Sequence, residues 1–142
     1  MAVDIIRILD AVYEEALNKG NLDALDEVFG PDYVDHGPLG EVRGLDAFKE
    51  MLTLWRQAFP DGVSTYTDVV RDGDRAAWRS QMTGTQLGAL PGIPATGRRV
   101  HLETIDMGTV RDGQAAEHWS VMDRLSMLEQ LGLVPAPEGA SA

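Results

Sequence analysis

The sequence predicts an α+β protein in which a curled antiparallel sheet wraps around N-terminal helices and a short helix closes the fold. Apolar residues recur at helical spacing through the first 59 residues. From Val63 onward, β-branched and apolar residues alternate instead. Two Asp-Gly pairs interrupt this second half, each in the setting of a β-hairpin turn. Helices followed by paired strands are typical of an α+β fold.

Three helices are predicted in the first half of the chain. The first covers Asp4 to Asn18 and ends at Gly20, and a second, short helix runs from Asn21 to Val28. The clearest helix spans Gly44 to Phe59, where apolar residues follow one another at steps of 3, 4, 3 and 4. Those residues are Leu45, Phe48, Leu52, Trp55 and Phe59. This apolar stripe must face a core or a pocket.

The remaining segments are predicted as strands, with one closing helix. A short extended piece covers Asp32 to His36, and the four long strands come later. The long strands are Val63 to Val70, Arg75 to Leu87, Arg98 to Arg111 and Gln114 to Met122. A loop rich in glycine and proline, Gly88 to Gly97, joins the two hairpins, and a helix follows over Arg124 to Leu131. A sheet of this length twists and curls, which leaves a pocket for a small molecule at its open end.

Length and composition limit the classes of protein to consider. The chain has 142 residues, no cysteine and a formal net charge of −11. We expect a single domain over residues 1–134 and a tail over residues 135–142. The lack of cysteine excludes disulfides, thiolate zinc sites and a cysteine nucleophile. The negative charge disfavours nucleic acid and anionic membranes as partners.

Two further features bear on location. No apolar run approaches the ~20 residues that a membrane-spanning helix needs. The start of the chain lacks the basic region of a secretory signal, so a cytoplasmic location is expected.

Several short motifs together resemble one known family. The order of elements resembles the nuclear transport factor 2-like cone fold, and within it the chain is similar to the SnoaL-like polyketide cyclases, also called ester cyclases. The motifs are Tyr33-Val34-Asp35-His36, Ala58-Phe59-Pro60-Asp61, Thr83-Gly84-Thr85, the loop from Leu90 to Arg98, the stretch from Arg111 to Trp119, Asp123-Arg124-Leu125 and Gln130-Leu131-Gly132. The resemblance extends from about residue 5 to residue 134.

The resemblance implies an intramolecular aldol condensation of a hydrophobic polyketide ester. An aspartate serves as acid and base in this chemistry, and neither a metal nor an organic cofactor is implied. Asp123 matches the catalytic aspartate of the family best. Many relatives have Glu-His-Trp-Asp where this chain has Ser120 after Trp119. If Ser120 is the counterpart of the catalytic aspartate, this chain cannot act in the same way as the family.

The last hairpin predicts which residues face the interior. With Asp112-Gly113 as a two-residue loop, Trp119 lies opposite Asp106, and Asp123 and Glu117 share their face. An apolar environment and a neighbouring carboxylate both raise the pKa of a carboxyl group, as an acid/base site requires. The same arithmetic places His101, Glu103 and His118 on the opposite face.

Structural roles compete with these functional ones. Asp123 directly precedes the last helix, where aspartate is a preferred N-cap. Asp106 is unusual within a strand, and it either pairs with Arg79 or Arg98 or contacts the substrate. His36 is a turn residue, a core histidine or a donor at the mouth of the pocket. The predicted site therefore has Asp123 and Asp106 as catalytic residues, with His36, Trp119, Glu117, Trp55, Tyr33 and Arg79 as substrate-binding candidates.

Three functions remain open at this point. The first is the cyclase, and the second is isomerisation, dehydration or epoxide hydrolysis in the same cone. Epoxide hydrolysis would need Asp106, Asp123 and Arg79 to converge on one water. The third is a binding protein without catalysis. A homodimer or a higher homo-oligomer is also expected, because Ile105, Met107 and Met122 are assigned to the convex face of the sheet, which the helices leave uncovered.

Overall fold

The fold is a curled six-stranded sheet around N-terminal helices, and the predicted α+β class is confirmed. A computed structural model describes residues 4–137. The strands are β1 (Phe29–Gly37), β2 (Gly40–Arg43), β3 (Val63–Asp72), β4 (Arg75–Thr85), β5 (Arg99–Arg111) and β6 (Gln114–Met122). The helices are α1 (Ile5–Asp10), a π-helical continuation (Ala11–Lys19), a 3₁₀ helix (Leu22–Glu27), α2 (Leu45–Ala58) and α3 (Arg124–Gln130). Met1 to Val3 and, of the predicted tail, residues 138–142 lie outside the described residues.

The first helix follows the sequence prediction closely. Asp4 caps it by accepting a hydrogen bond from the backbone N–H of Ile6 at 3.1 Å. It ends at Gly20, whose φ of 80° is the left-handed conformation that glycine adopts without strain. The predicted second helix is a 3₁₀ helix, and Asn21 makes no side-chain cap there. None of the helices among residues 4–137 has the length and apolar character needed to span a bilayer.

Both predicted hairpins are present. The second turns at Asp112 and Gly113, whose φ angles of 51° and 75° suit a two-residue loop. In the first hairpin, Asp72 pairs with Arg75, so the loop residues are Gly73 and Asp74 rather than the predicted Asp72-Gly73.

The sheet contains two features that the sequence pattern did not predict. Its strand order is β2-β1-β6-β5-β4-β3. Of the strands in residues 4–137, the short, exposed strand β2 pairs with β1 alone, and it has no alternating apolar pattern. Strand β1 is longer than the predicted extended piece and pairs with β6 in parallel, which places Asp35 beside His118. This pairing joins residues about 80 positions apart in the chain, which a local pattern cannot predict.

A β-bulge reverses the predicted facing of β6. Val110 pairs with Ala115 but Thr109 pairs with Glu117, so Ala116 is an extra residue in β6. Beyond the bulge, Asp106 pairs with Ser120 instead of Trp119, and Gly108 pairs with His118. A shift of one residue moves every side chain of a strand to the other face. The predicted interior positions of Trp119, Glu117 and Asp123, and the predicted outer position of His118, are therefore wrong.

Asp123 is the N-cap of α3. Its carboxylate accepts a hydrogen bond from the backbone N–H of Ser126 at 2.9 Å, and the residue is exposed. Of the two roles considered for Asp123, capping and catalysis, the structure shows the capping role.

Two substitutions of Asp123 should distinguish the contribution of the cap to stability from that of the negative charge. Asp123→Ala should lower the free energy of unfolding by about 1 kcal/mol, because a backbone N–H of α3 loses its acceptor. Asp123→Asn should leave it nearly unchanged, because asparagine caps equally well. Urea denaturation of the two variants measures both values. Equal stability of the Ala and Asn variants would contradict this assignment.

Candidate active site

The candidate active site is a cavity of about 140 Å³ between α2 and the concave face of the sheet. Phe48, Leu52 and Trp55, which belong to the apolar stripe of α2, line it, so at these positions the stripe faces a pocket, the second of the two surroundings that the sequence allows. The turn between β1 and β2, residues 37–40, lies at its edge. Most of the lining is apolar, and the polar side chains in it come mainly from β1, β4, β5 and β6. An apolar cavity with a few convergent polar groups is typical of a small-molecule site.

A histidine between two buried carboxylates lies against this cavity. Nδ1 of His118 is 2.6 Å from Oδ1 of Asp35, and Nε2 of His118 is 2.9 Å from Oδ1 of Asp106. Asp35 and Asp106 are only 2% and 3% exposed. Because both ring nitrogens face an acceptor, the imidazole satisfies both contacts fully when it is protonated and donates from each nitrogen.

Hydroxyl groups complete the surroundings of the two carboxylates. The phenol of Tyr33 donates to Oδ1 of Asp35 at 2.8 Å. The hydroxyls of Thr104 and Ser80 lie 2.7 and 2.8 Å from Oδ2 of Asp106 and also contact each other. Buried carboxylates require such donors, since an unpaired buried charge is costly.

The electrostatics of the cluster favour the charged forms. Burial lowers the pKa of His118, but the hydrogen bonds and charges of Asp106 and Asp35 raise it more, to about 9. Burial raises the pKa of Asp106, yet His118, Thr104 and Ser80 together lower it below its ordinary value. Burial and the charge of Asp35 raise the pKa of Tyr33, which stays neutral. At neutral pH, His118 is therefore an imidazolium and Asp106 a carboxylate.

Three predicted site residues lie at or near the cavity. Asp106 and Trp55 line it directly. Asp106 pairs with His118 rather than with the predicted Arg79 or Arg98. Tyr33 is buried behind the cluster, where it lines a second, smaller cavity of about 50 Å³ and contacts Asp35.

Three other predicted residues form a cluster on the outer face of the sheet. Nε2 of His36 is 2.6 Å from Oε2 of Glu117, and its ring stacks on Trp119 with centroids 5.4 Å apart. Glu41 lies 3.4 Å from the other nitrogen of His36. His36 and Trp119 do not line the main cavity, and the carboxylate of Glu117 is held by His36 on the side away from it. The bulge at Ala116 places Glu117 and Trp119 on this outer face.

Arg79 and Asp123 are also on the outer surface. The guanidinium of Arg79 contacts Asp68 at 3.1 Å, and both Arg79 and Asp123 line an open groove outside the sheet. They do not converge with the carboxylate of Asp106 on the cavity, as an epoxide hydrolase would need. Met122, predicted on the convex face, instead lines the main cavity.

Sequence reasoning missed Asp35 and His118 as site residues. Asp35 belongs to the motif Tyr33-Val34-Asp35-His36, but the local sequence does not reveal that β1 pairs with β6. The predicted face of His118 is wrong because the sequence pattern does not reveal the bulge at Ala116. Within residues 4–137, no group of three or more histidine, aspartate or glutamate side chains is arranged to hold a metal ion.

The fold and site together define a class of protein. A sheet curled around helices, with a charged acid/base cluster against an apolar cavity, suits the binding and conversion of small apolar molecules. The family model for SnoaL-like polyketide cyclases matches residues 7–131, and the chain belongs to that family.

Individual relatives agree with this assignment. The chain is 31% identical over 144 residues to aklanonic acid methyl ester cyclase DnrD of Streptomyces peucetius, which covers 96% of this chain and 95% of that protein. It is 30% identical over 122 residues to nogalonic acid methyl ester cyclase of Streptomyces nogalater, with 82% and 90% covered. The structure of TsrD from Streptomyces laurentii matches with a TM-score of 0.83 and 33% identity over 92% of this chain and 96% of that one. The two ester cyclases are enzymes, and they support a cyclase role for this chain.

The His118 cluster predicts how stability depends on pH. The folded pKa of about 9 lies above the ordinary value of 6.5, so protonation stabilises the fold fully below about pH 6.5. This contribution, about 3 kcal/mol for the 2.5-unit difference, should disappear progressively as the pH rises through 9. Urea denaturation between pH 6 and pH 9.5 measures the fall.

The control is the exposed histidine of β5. His101→Gln should retain the fall in stability, whereas His118→Gln should lose it. NMR titration of His118 in the unaltered protein should give a midpoint near 9. A midpoint at or below 6.5 would show that the two carboxylates do not hold the proton.

Proposed function

We propose that this protein closes a ring in a hydrophobic polyketide ester by intramolecular aldol condensation, with Asp106 as acid and base. The observation that carries the proposal is the carboxylate of Asp106, held ionised by His118 at the side of an apolar cavity. The names of the relatives indicate a polyketide methyl ester as the substrate class. The apolar lining of the cavity agrees with such a substrate.

Asp106 has the position and the charge that a base needs. Among the described residues, Oδ1 of Asp106 accepts from His118 alone, which leaves a lone pair for an incoming proton. Its lowered pKa keeps it ionised at neutral pH, although it also makes the carboxylate a weaker base. A proton between two carbonyl groups is acidic enough for such a base, because the enolate is delocalised. The cavity supplies the other requirement by holding the reacting carbons together.

The proposed reaction moves one proton and forms one carbon–carbon bond. Asp106 takes the α-proton, and the C–H electron pair forms the enolate. The enolate carbon attacks a second carbonyl carbon of the same molecule, and the C=O π pair moves to oxygen. Asp106 then returns the proton to that alkoxide, so the carboxylate is regenerated. The His118 imidazolium stabilises the negative charge on the enolate and the alkoxide.

A binding protein without catalysis is less consistent with this site. Burying two carboxylates and a histidine costs desolvation free energy, which a purely apolar pocket avoids. An isomerase remains the nearest alternative, because it would use the same base and would omit the carbon–carbon bond.

Substitution of Asp106 tests the base. Asp106→Asn keeps the side-chain volume and the contacts with Ser80 and Thr104 but cannot accept the proton. Turnover of aklanonic acid methyl ester should fall by roughly two to four orders of magnitude. The matched control is Asp123→Asn, the same substitution at the exposed cap of α3, which should leave turnover close to that of the unaltered protein.

Product analysis by mass spectrometry and NMR separates the possible outcomes. A cyclised isomer of unchanged mass is expected. Near-normal turnover by Asp106→Asn would remove Asp106 as the base, and a large loss in Asp123→Asn would restore the cap residue as a candidate. A product that is isomerised without a new ring would favour the isomerase.

We also propose that the outer face of the sheet joins two copies of the chain. Val121 and Ile105 are 75% and 59% exposed there, beside the exposed Met107. Exposed apolar residues this close together are typical of an interface. Glu103 and Arg79, of opposite sign, border this area, so a twofold arrangement can place opposite charges across from each other.

Light scattering tests the dimer. The unaltered protein should have about twice the mass of one chain at micromolar concentration, and Val121→Glu should have the mass of one chain, because a charge would be buried in the interface. A single-chain mass for the unaltered protein would contradict the proposal.

A further inference from the structure

The imidazole of His118 has an aromatic neighbour that the proposed reaction does not use. The indole ring of Trp78, on β4, is stacked against it with centroids 5.6 Å apart and planes inclined by 14°. Trp78 is only 6% exposed. An aromatic face within about 6 Å of a cation attracts it, and the attraction is stronger where water is excluded. The stacked face therefore favours the imidazolium over the neutral ring.

Gly108 leaves the space that this indole occupies. It lies on β5 directly opposite His118 in the pairing with β6. A Cβ atom at this position would be 3.1 Å from Cη2 and 3.4 Å from Cζ3 of Trp78. Glycine within a strand usually costs stability, so its presence often marks a close approach. Here the close approach is that of the Trp78 ring.

The far end of the indole is fixed by a hydrogen bond. Nε1 of Trp78 donates to the phenol oxygen of Tyr13 at 3.0 Å, on the π-helical segment. Trp78 is therefore fixed by Tyr13 at one edge and packed over Gly108 at the other. The ring cannot tilt away from His118 without losing the hydrogen bond or leaving a void.

We propose that Trp78, packed over Gly108, is a positioning residue that holds the His118 imidazole in the plane where it reaches both Asp35 and Asp106. Rotation of the imidazole would break at least one of these two contacts, because they lie on opposite sides of the ring. The expected effect on turnover rests on the proposed function, in which Asp106 is the base. The expected effect on the titration of His118 does not depend on that function.

Two carboxyl groups and two phenols are the titratable groups that face His118. Asp35 and Tyr33 face it from β1, Asp106 from β5, and Tyr13 from the π-helical segment. Burial raises the pKa of both phenols, so they stay neutral over the working range. The protonation of His118 therefore depends on the two carboxyl groups, and Trp78 adds to it by stabilising the imidazolium.

Trp78→Phe tests the proposal by NMR titration of His118. Phenylalanine keeps an apolar ring in the core but lacks the N–H that binds Tyr13 and has a weaker cation–π attraction. The pKa of His118 should fall by about 0.5–1.5 units. Trp119→Phe is the matched control, since it is the same substitution beside a different histidine on the outer face, and it should leave the titration of His118 unchanged.

Gly108→Ala gives an independent measurement in which both aromatic rings are kept. The added methyl group should displace the indole and lower the pKa of His118 by a smaller amount than Trp78→Phe does. Gly30→Ala is its control, because a Cβ atom at Gly30 meets nothing closer than 3.6 Å. If neither Trp78→Phe nor Gly108→Ala moves the titration by more than about 0.2 units, Trp78 only fills the core and the proposal is overturned. If one of them does not fold, the other decides.

Enzyme kinetics separate this proposal from the proposed function. Turnover should fall at high pH, where the His118 imidazolium loses its proton, and this fall is the alkaline limb of the pH profile. In Trp78→Phe, the alkaline limb should move to lower pH together with the titration of His118. If the titration moves and the alkaline limb does not, Trp78 positions His118 as proposed, and the role of the imidazolium in the reaction is wrong. If the titration does not move, the positioning proposal fails whatever the turnover is.

Discussion

The burial of one imidazolium between two carboxylates is the constraint on which the site depends. Asp35, His118 and Asp106 come from three adjacent strands of the sheet, β1, β6 and β5. Any one of these charges would be strongly unfavourable if it were buried without the other two. The three strands must therefore pair in one register, and a slip of a single residue between them would leave the charges unpaired. The cluster thus contributes to specifying the register of the sheet as well as the chemistry of the cavity.

Polar and apolar groups have different roles around the cluster. The hydroxyls of Ser80 and Thr104 contact Oδ2 of Asp106, the oxygen that His118 does not bind. The phenol of Tyr33 donates to Oδ1 of Asp35, the same oxygen that faces His118. Apolar side chains of α2 form the opposite side of the cavity. In such a water-poor space, a charge acts over a longer distance than in solution. An arrangement of this kind can stabilise an enolate without a metal, provided the substrate itself delocalises the charge.

The two faces of the sheet have different chemistry, although the same strands build both. On β6, His118, Ser120 and Met122 face the cavity, whereas Trp119 and Val121 face outward. On β1, Asp35 faces inward and His36 outward, where His36 forms its own cluster with Glu117 and Trp119. Both faces thus carry a histidine, a carboxylate and a tryptophan. Among the described residues, the inner set lines the main apolar cavity, whereas His36, Glu117 and Trp119 of the outer set do not, and this difference distinguishes the candidate active site from the outer cluster.

The sequence by itself determined the fold class, the helix α2, the hairpin at Asp112 and Gly113, and the family. These features depend on residues that are close together in the chain: an apolar stripe, a turn pair and a set of short motifs. It also identified Asp106, because aspartate is unusual in a strand. The tertiary structure alone decided which face of β6 is the inner one and which strand lies beside it. A single extra residue, Ala116, reverses the alternation of β6, and the parallel pairing with β1 brings Asp35 to His118. Neither feature has a local signal, because a bulge and a long-range pairing are chosen by the free energy of the whole sheet and its buried charges.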